Sequence, residues 1–127
     1  MITSSIMCLA IAIYYEARNQ PIEGQIAVAE VILNRVDSER YPDDVCGVVW
    51  QRKQFSFTHD GRVENPRHEV WFDIHLLAEN ILEEPEVYLL GHGATHYHAT
   101  YVDPYWSDKL EVVGQIGDHI FYRDYLR

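Results

Sequence analysis

The most informative segment of the sequence is IEGQIAVAEVILNRV, residues 22–36. Apolar side chains fill so many of its positions that little polar surface remains, which is typical of a helix at the centre of a domain. We therefore predict a buried central helix that begins near Pro21 and ends at about Val36. Glu23 and Glu30 are expected to lie on the polar surface that remains.

Three more helices are predicted on either side of this segment. The first follows the N-cap candidates Ser4 and Ser5, and its apolar residues recur at helical spacing. A short helix is expected over residues 45–51. The third begins at Asn65-Pro66 and ends before Pro85, because proline cannot continue a helix. Its apolar face consists of Val70, Ile74, Leu77, Ala78 and Ile81.

The chain changes character after residue 91. Residues 94–102 alternate between two sets of side chains, as a β-strand does. Residues 111–116 and 119–122 are expected to form two strands joined by a tight Gly117-Asp118 turn. The sequence thus predicts an α+β fold, mostly helical, with a small antiparallel sheet near the C-terminus. A length of 127 residues suits a single domain over residues 1–127.

Charge and hydropathy argue against two classes of partner. The chain carries 20 Asp and Glu against 10 Lys and Arg, a formal charge of -10, whereas a nucleic-acid binder needs a basic face. No apolar run approaches the length of a bilayer span, so we expect no membrane partner. Nothing basic precedes the apolar residues 6–13, which predicts a helix of the mature protein rather than an export signal. We expect a monomer.

Cys8 and Cys46 are the two cysteines of the chain. Two are too few for a disulfide framework, and they lack the spacing of zinc ligands. We expect both to be reduced thiols in the core, with one disulfide as the alternative.

Glu16 is the candidate catalytic residue. It follows Leu9 by seven residues and Ile13 by three, so its carboxylate leaves from the apolar face of the first helix. Loss of hydration favours the protonated carboxyl group and suits it to donate a proton near neutral pH. The alternative is a structural carboxylate paired with Arg18 or with Arg35.

A set of short segments, spread over nearly the whole chain in the expected order, resembles the SleB-like cell-wall hydrolases, the spore-cortex-lytic type. These segments are residues 10–18, 23–29, 33–36, 41–42, 46–49, 54–56, 94–99 and 116–122, with Val102, Pro104 and Trp106. Members of that family are similar in fold to lytic transglycosylases and goose-type lysozyme, and they cleave the glycan strands of peptidoglycan. The resemblance therefore implies a lysozyme-like fold, peptidoglycan as the substrate, and Glu16 as the position of the family's catalytic glutamate.

The resemblance also implies cleavage between N-acetylmuramic acid (MurNAc) and N-acetylglucosamine (GlcNAc). Hydrolysis of such a bond normally uses two carboxylates. A lytic transglycosylase needs one, since its acid later acts as the base for the C6 hydroxyl of MurNAc, which closes a 1,6-anhydro ring. No second acidic residue has a setting as apolar as that of Glu16, which favours transglycosylation.

Candidate glycan contacts come from two segments. The first is Gln54-Phe55-Ser56 in a polar loop, where Phe55 would equally serve as a core anchor. The second is aromatic-rich and contributes Tyr97, His98, Tyr101 and Trp106. Such rings stack on sugars, although half or more of them could instead fill the core. Because tyrosines and histidines alternate, one face of the strand should line the cleft, and we favour the tyrosine face.

His96 and His98 have the spacing of two metal ligands on one strand face. A third ligand could come from His92, His119 or Asp118, but no helical His-Glu-x-x-His motif accompanies them. We predict no metal and no cofactor. A zinc-dependent peptidoglycan amidase is the alternative enzyme, and a non-catalytic wall-binding module is the alternative outside enzymes.

The expected place of action is the cell wall. With no export signal predicted, the sequence suits a phage lysin released from the host cytoplasm, or a catalytic domain excised from an exported enzyme.

Overall fold

The computed structural model of the protein describes residues 4–51 and 68–124. Within these residues the elements are helices α1 (Ser5–Ala17), α2 (Ile22–Val36), α3 (Val45–Val49), α4 (His68–Glu83) and α5 (Pro85–Tyr88), strands β1 (His96–Ala99), β2 (Glu111–Ile116) and β3 (His119–Arg123), and a 3₁₀ turn (Ser107–Lys109). The predicted α+β fold, mostly helical with a small sheet near the C-terminus, is confirmed. None of the helices in these two ranges is both long and apolar enough to cross a membrane.

Side-chain caps set the start of two helices. The Ser4 hydroxyl accepts a hydrogen bond from the Met7 amide at 3.1 Å, which caps α1 as predicted. Asp44 accepts from the Gly47 amide at 3.2 Å and caps α3, which ends at Val49 and is two residues shorter than expected. The predicted N-cap at Asn65-Pro66 lies outside the described residues.

Helix α2 is the central helix, as predicted. Residues on both of its sides are buried, and α1 packs along it with an apolar face that has no exposed surface from Cys8 to Ala10. Ile74, Ala78 and Ile81 of α4 complete this helical core. Val70, which we expected on the same apolar face, is instead exposed.

Two further predictions about individual residues are wrong. Glu30 is only 2% exposed, because the chain that leaves α5 crosses α2, and the Glu30 carboxylate accepts hydrogen bonds from the amides of Leu90 and His92. Cys8 and Cys46 form a disulfide, with Cα atoms 5.3 Å apart, which joins α1 to α3. They are therefore not reduced thiols. In both cases the deciding contact comes from a distant part of the chain, which helical periodicity does not report.

The sheet is antiparallel with strand order β1-β3-β2. A tight turn joins β2 to β3, and Gly117 in that turn has a φ of 58°, which favours glycine. Strand β1 is shorter than the alternating segment 94–102, because the chain turns after Ala99, where the Val102 amide donates to the Ala99 carbonyl.

The end of α2 fixes the start of β1. The Asn34 side-chain amide donates to the Ala94 carbonyl at 2.8 Å, and Arg35 Nε donates to the Thr95 carbonyl at 2.8 Å. Phe121 of β3 then packs into the helical core. These contacts bring β1 beside the C-terminal end of α1, where Glu16 lies.

Candidate active site

Glu16 lies in the last turn of α1 and is partly buried. The preceding turn, with Ala12 and Ile13, is completely buried, so the helix is held firmly and the carboxylate stands at the edge of the core. The Tyr97 hydroxyl, from β1, donates a hydrogen bond of 2.7 Å to Glu16 Oε1. A helix and a strand separated by most of the chain therefore meet at this carboxylate.

Tyr97 is a stable donor in this position. Burial raises the pKa of Tyr97 well above its ordinary value, and the neighbouring Glu16 carboxylate raises it further, while Arg35 has a smaller opposing effect. The hydroxyl consequently keeps its proton at any physiological pH. The Tyr97 ring packs against Phe121, with centroids 5.6 Å apart, and against His119, at 4.9 Å.

Two adjoining depressions meet at Glu16. One has a volume of about 370 Å³ and the other about 280 Å³, and we call them together the groove. The residues that line both are Tyr15, Glu16, Ala99, Tyr101 and His119. The first depression extends toward Arg18, Gln20 and Asp118, and the second toward Arg35, Tyr97 and His98. A linear substrate could thus occupy both sides of the carboxylate.

The two arginines considered as partners of Glu16 both hold other parts of the structure. Arg18 donates to the Tyr14 carbonyl at 3.1 Å, and its guanidinium lies 4.8 Å from the Tyr14 ring centroid. Arg35 holds Thr95 and lies 4.9 Å from the ring centroid of Tyr41. Burial lowers the pKa of Arg35, and Tyr41 and Tyr97 partly offset this effect.

The predicted glycan contacts fall into three groups. Tyr97, His98 and Tyr101 line the groove, so residues of both strand faces contribute to it rather than the tyrosine face alone. Trp106 packs against His96, His98 and Tyr122 in an aromatic cluster and is not among the residues that line the groove. Gln54, Phe55 and Ser56 lie outside the described residues.

Two of the histidines proposed as metal ligands, His92 and His98, have other hydrogen-bond partners. Since a carbonyl can only accept, His98 Nδ1 donates to the Ala99 carbonyl at 2.7 Å, which leaves Nε2 to accept from the Tyr122 hydroxyl at 2.7 Å. His92 Nδ1 accepts from the Ala94 amide at 2.9 Å. No group of three or more His, Cys, Asp or Glu among residues 4–51 and 68–124 is placed to hold a metal ion.

Of the five residues that line both depressions, three were not predicted as site residues: Tyr15, Ala99 and His119. Tyr15 adjoins Glu16 in the sequence, and this adjacency was the available signal. His119 was considered only as a third metal ligand, and it reaches the groove because β3 pairs with β1 in a register that places His119 opposite Ala99.

Comparison with known proteins agrees with the motifs. Residues 19–122 match the Cell Wall Hydrolase family. Two relatives are the spore cortex-lytic enzymes of Oceanobacillus iheyensis and Bacillus subtilis, each 33% identical to this chain over 93% of its length. The chain spans 41% and 37% of the length of these relatives, about two fifths. They lend no support to a phage-lysin origin.

Two solved structures share the fold. The catalytic domain of the Bacillus cereus SleB protein has a TM-score of 0.73 and 32% identity, with 94% of this chain and 89% of that chain covered. The catalytic domain of the germination-specific lytic transglycosylase SleB from Bacillus anthracis has a TM-score of 0.76 and 31% identity, with 97% of both chains covered. This chain belongs to the Cell Wall Hydrolase family.

Proposed function

We propose that this domain cleaves the MurNAc–GlcNAc bond of peptidoglycan glycan strands as a lytic transglycosylase, with Glu16 as the general acid and base. The observation that carries the proposal is the position of Glu16. Its carboxylate accepts a hydrogen bond of 2.7 Å from the Tyr97 hydroxyl and lines both depressions of the groove. The activities of the relatives, cortex lysis and lytic transglycosylation, support it.

One carboxyl group can complete this reaction. Protonated Glu16 gives its proton to the glycosidic oxygen while the bond from that oxygen to C1 of MurNAc breaks. The resulting carboxylate then removes the proton from the C6 hydroxyl of the same MurNAc, and the C6 oxygen bonds to C1. The product is a 1,6-anhydro end, no water is consumed, and Glu16 returns to its protonated form.

Tyr97 acts here as a positioning residue. Its hydroxyl holds Oε1 in place, and a hydrogen bond donated to a carboxylate stabilises the charge that remains after Glu16 has given up its proton. The donor sits on a strand and its acceptor on a disulfide-anchored helix, so both are held by regular structure.

Among the described residues that line the groove, the other acidic residue is Asp118. Its Oδ2 accepts from the Gln20 side chain at 3.2 Å, and its amide donates to Gln20 Oε1 at 2.8 Å. These contacts give Asp118 a structural role, because they hold the β2–β3 turn against Gln20. A hydrolase would need a second carboxylate at the scissile bond, so the structural role of Asp118 supports transglycosylation.

The cell wall remains the proposed place of action. Disulfides persist outside the cell and are reduced in the cytoplasm, so the Cys8–Cys46 disulfide supports action outside the cytoplasm.

The product decides between the candidate reactions. Digestion of peptidoglycan in heavy-oxygen water should release 1,6-anhydro fragments without label, about 18 Da lighter than hydrolysis products because no water is added. Mass spectrometry of digests from vegetative and spore-cortex peptidoglycan would also show whether the muramic-δ-lactam of cortex is required. Labelled reducing ends would contradict transglycosylation and make Asp118 the second carboxylate to examine.

The same digest tests the alternatives. A zinc-dependent amidase would release peptides and lose activity with a chelator, whereas the Glu16 mechanism should be unaffected by it. A wall-binding module would release no fragments at all.

A further inference from the structure

His119 is held rigidly at the middle of the groove. It begins β3 and pairs with Ala99 of β1 on one side and with Ile116 of β2 on the other. The turn just before it is anchored by the two hydrogen bonds between Asp118 and Gln20. His119 is one of the residues that line both depressions, so it lies beside the position where Glu16 would act.

The His119 ring is buried but incompletely hydrogen-bonded. The residue is 7% exposed, and its Nδ1 has no hydrogen-bond partner among the described residues. A buried polar atom without a partner costs free energy, and such atoms are rare enough in native folds to need an explanation. The surroundings are aromatic, with the Tyr97 centroid at 4.9 Å and the Phe121 centroid at 6.2 Å.

The ring is neutral near neutral pH. Burial lowers the pKa of His119, a lowering that nearby Asp118 partly offsets and His98 reinforces. Nδ1 is enclosed and has neither a donor nor an acceptor among the described residues, so Nε2 is the ring nitrogen available to a ligand in the groove. With its proton on Nε2, the neutral ring is an uncharged N–H donor.

We propose that His119 binds the substrate by donating Nε2–H to the acetamido carbonyl of the amino sugar bound beside Glu16. This inference rests on the proposed glycan-cleaving function and names a group that the site would recognise. An amide carbonyl is a neutral acceptor, which suits an uncharged donor, and the acetyl methyl group can pack on the apolar wall that Ala99 and Tyr101 form.

The test uses the Glu16→Gln variant as parent, so that binding is measured without cleavage. Soluble glycan strands prepared from purified peptidoglycan are titrated by calorimetry, either intact or after chemical de-N-acetylation. His119→Phe should weaken binding of intact strands about 5- to 10-fold, as expected for one lost hydrogen bond. His119→Gln, which keeps an N–H donor, should recover part of this loss, and His75→Phe, on α4 outside the groove, should bind as the parent does.

De-N-acetylation identifies the acceptor. It should weaken binding by the parent more than binding by His119→Phe, because the variant has already lost the contact. For each protein we compare the ratio of its affinity for intact strands to its affinity for de-N-acetylated strands. The exposed ammonium groups are attracted equally to both proteins, so their effect cancels when the two ratios are compared. Equal ratios for the two proteins would overturn the acetamido assignment.

Folding and the proposed function are checked separately. Thermal unfolding shows whether each variant is folded, and His119→Leu, which also lacks the N–H donor, is used if His119→Phe does not fold. Unchanged affinity in a folded His119 variant that lacks the N–H donor would overturn the inference while leaving the role of Glu16 intact. No binding by the Glu16→Gln parent would instead count against the proposed function, and the inference would fall with it.

Discussion

The two regions that meet at the groove are built very differently. Helices α1 and α2 form a closely packed base, in which Cys8 to Ala10 and Val31 to Ile32 have no exposed surface and a disulfide joins α1 to α3. The wall formed by β1 and the chain after it keeps Tyr101 largely exposed. The base supplies the acid and the wall supplies the groups around it. We infer that changes in the base affect catalysis or folding, whereas changes in the wall affect substrate binding, except at Tyr97, whose hydroxyl contacts the acid itself.

Glu16→Gln should produce the largest effect on activity. The amide is nearly the same shape but neither donates nor accepts the proton, so we expect a loss of at least about 1,000-fold. Release of fragments from peptidoglycan measures activity, and thermal unfolding should match the wild type. Clearance of a peptidoglycan suspension at near wild-type rate would remove Glu16 from the mechanism.

Glu30→Gln is the matched control, because it makes the same chemical change at a carboxylate that is buried for structural reasons. Glu30 accepts from two backbone amides, and a Gln amide would face one of them with its own N–H groups. We expect a loss of about 1–3 kcal/mol in the free energy of unfolding. The folded fraction of Glu30→Gln should keep the turnover number of the wild type, whereas Glu16→Gln should lose it.

Removal of the disulfide tests the rigidity of the base. The bond closes a sequence separation of 38 residues, and chain entropy then predicts a loss of about 2–4 kcal/mol in the free energy of unfolding for Cys8→Ala/Cys46→Ala. Urea unfolding measures it, and a reductant should lower the unfolding midpoint of the wild type but not of the double variant. Insensitivity of the wild type to reductant would show that the disulfide contributes nothing to stability.

How far the sequence predicts the structure depends on whether the deciding contact is local or distant along the chain. Local signals are sufficient for the helices and the hairpin: the Ser4 cap, the apolar periodicity of α2 and the Gly117 turn all lie within a few residues of their effect. The burial of Glu30 depends on chain some 60 residues away. The cysteine pairing is equally invisible to a local pattern.

The candidate site follows the same division. Helical periodicity and the family resemblance both point to Glu16, whereas the Tyr97 hydrogen bond spans 81 residues of sequence. Both ring nitrogens of His98 make hydrogen bonds within the protein, so they are not available as metal ligands. His119 enters the groove only through the pairing register of β1 and β3. Such contacts require the tertiary structure.

Tyr97→Phe should have the next largest effect on activity, since it removes a hydrogen bond to a group that becomes charged. We expect kcat to fall about 10- to 100-fold with little change in KM. Tyr122→Phe is the matched control, because it removes a tyrosine hydroxyl that makes a bond of the same 2.7 Å length, to His98. That control should leave kcat within about threefold of the wild type. Equal losses of kcat in the two variants would contradict a positioning role for Tyr97.

The smallest effect is expected at the exposed end of the wall. Tyr101 is 85% exposed and lines both depressions, a position in which its ring can stack on a bound sugar. Tyr101→Ala should raise KM about 3- to 10-fold, and neither kcat nor the 1,6-anhydro product should change. Tyr105 offers a close control, because it is 84% exposed and does not line the groove; its ring lies near Lys109 Nζ instead.

Tyr105→Ala should therefore leave both constants unchanged. If the two alanine variants raise KM equally, exposed aromatic side chains bind peptidoglycan without regard to their position. The groove would then not extend to Tyr101. If Tyr101→Ala lowers kcat instead, Tyr101 contributes to the transition state rather than to substrate binding, and the division between a catalytic base and a binding wall fails at that residue.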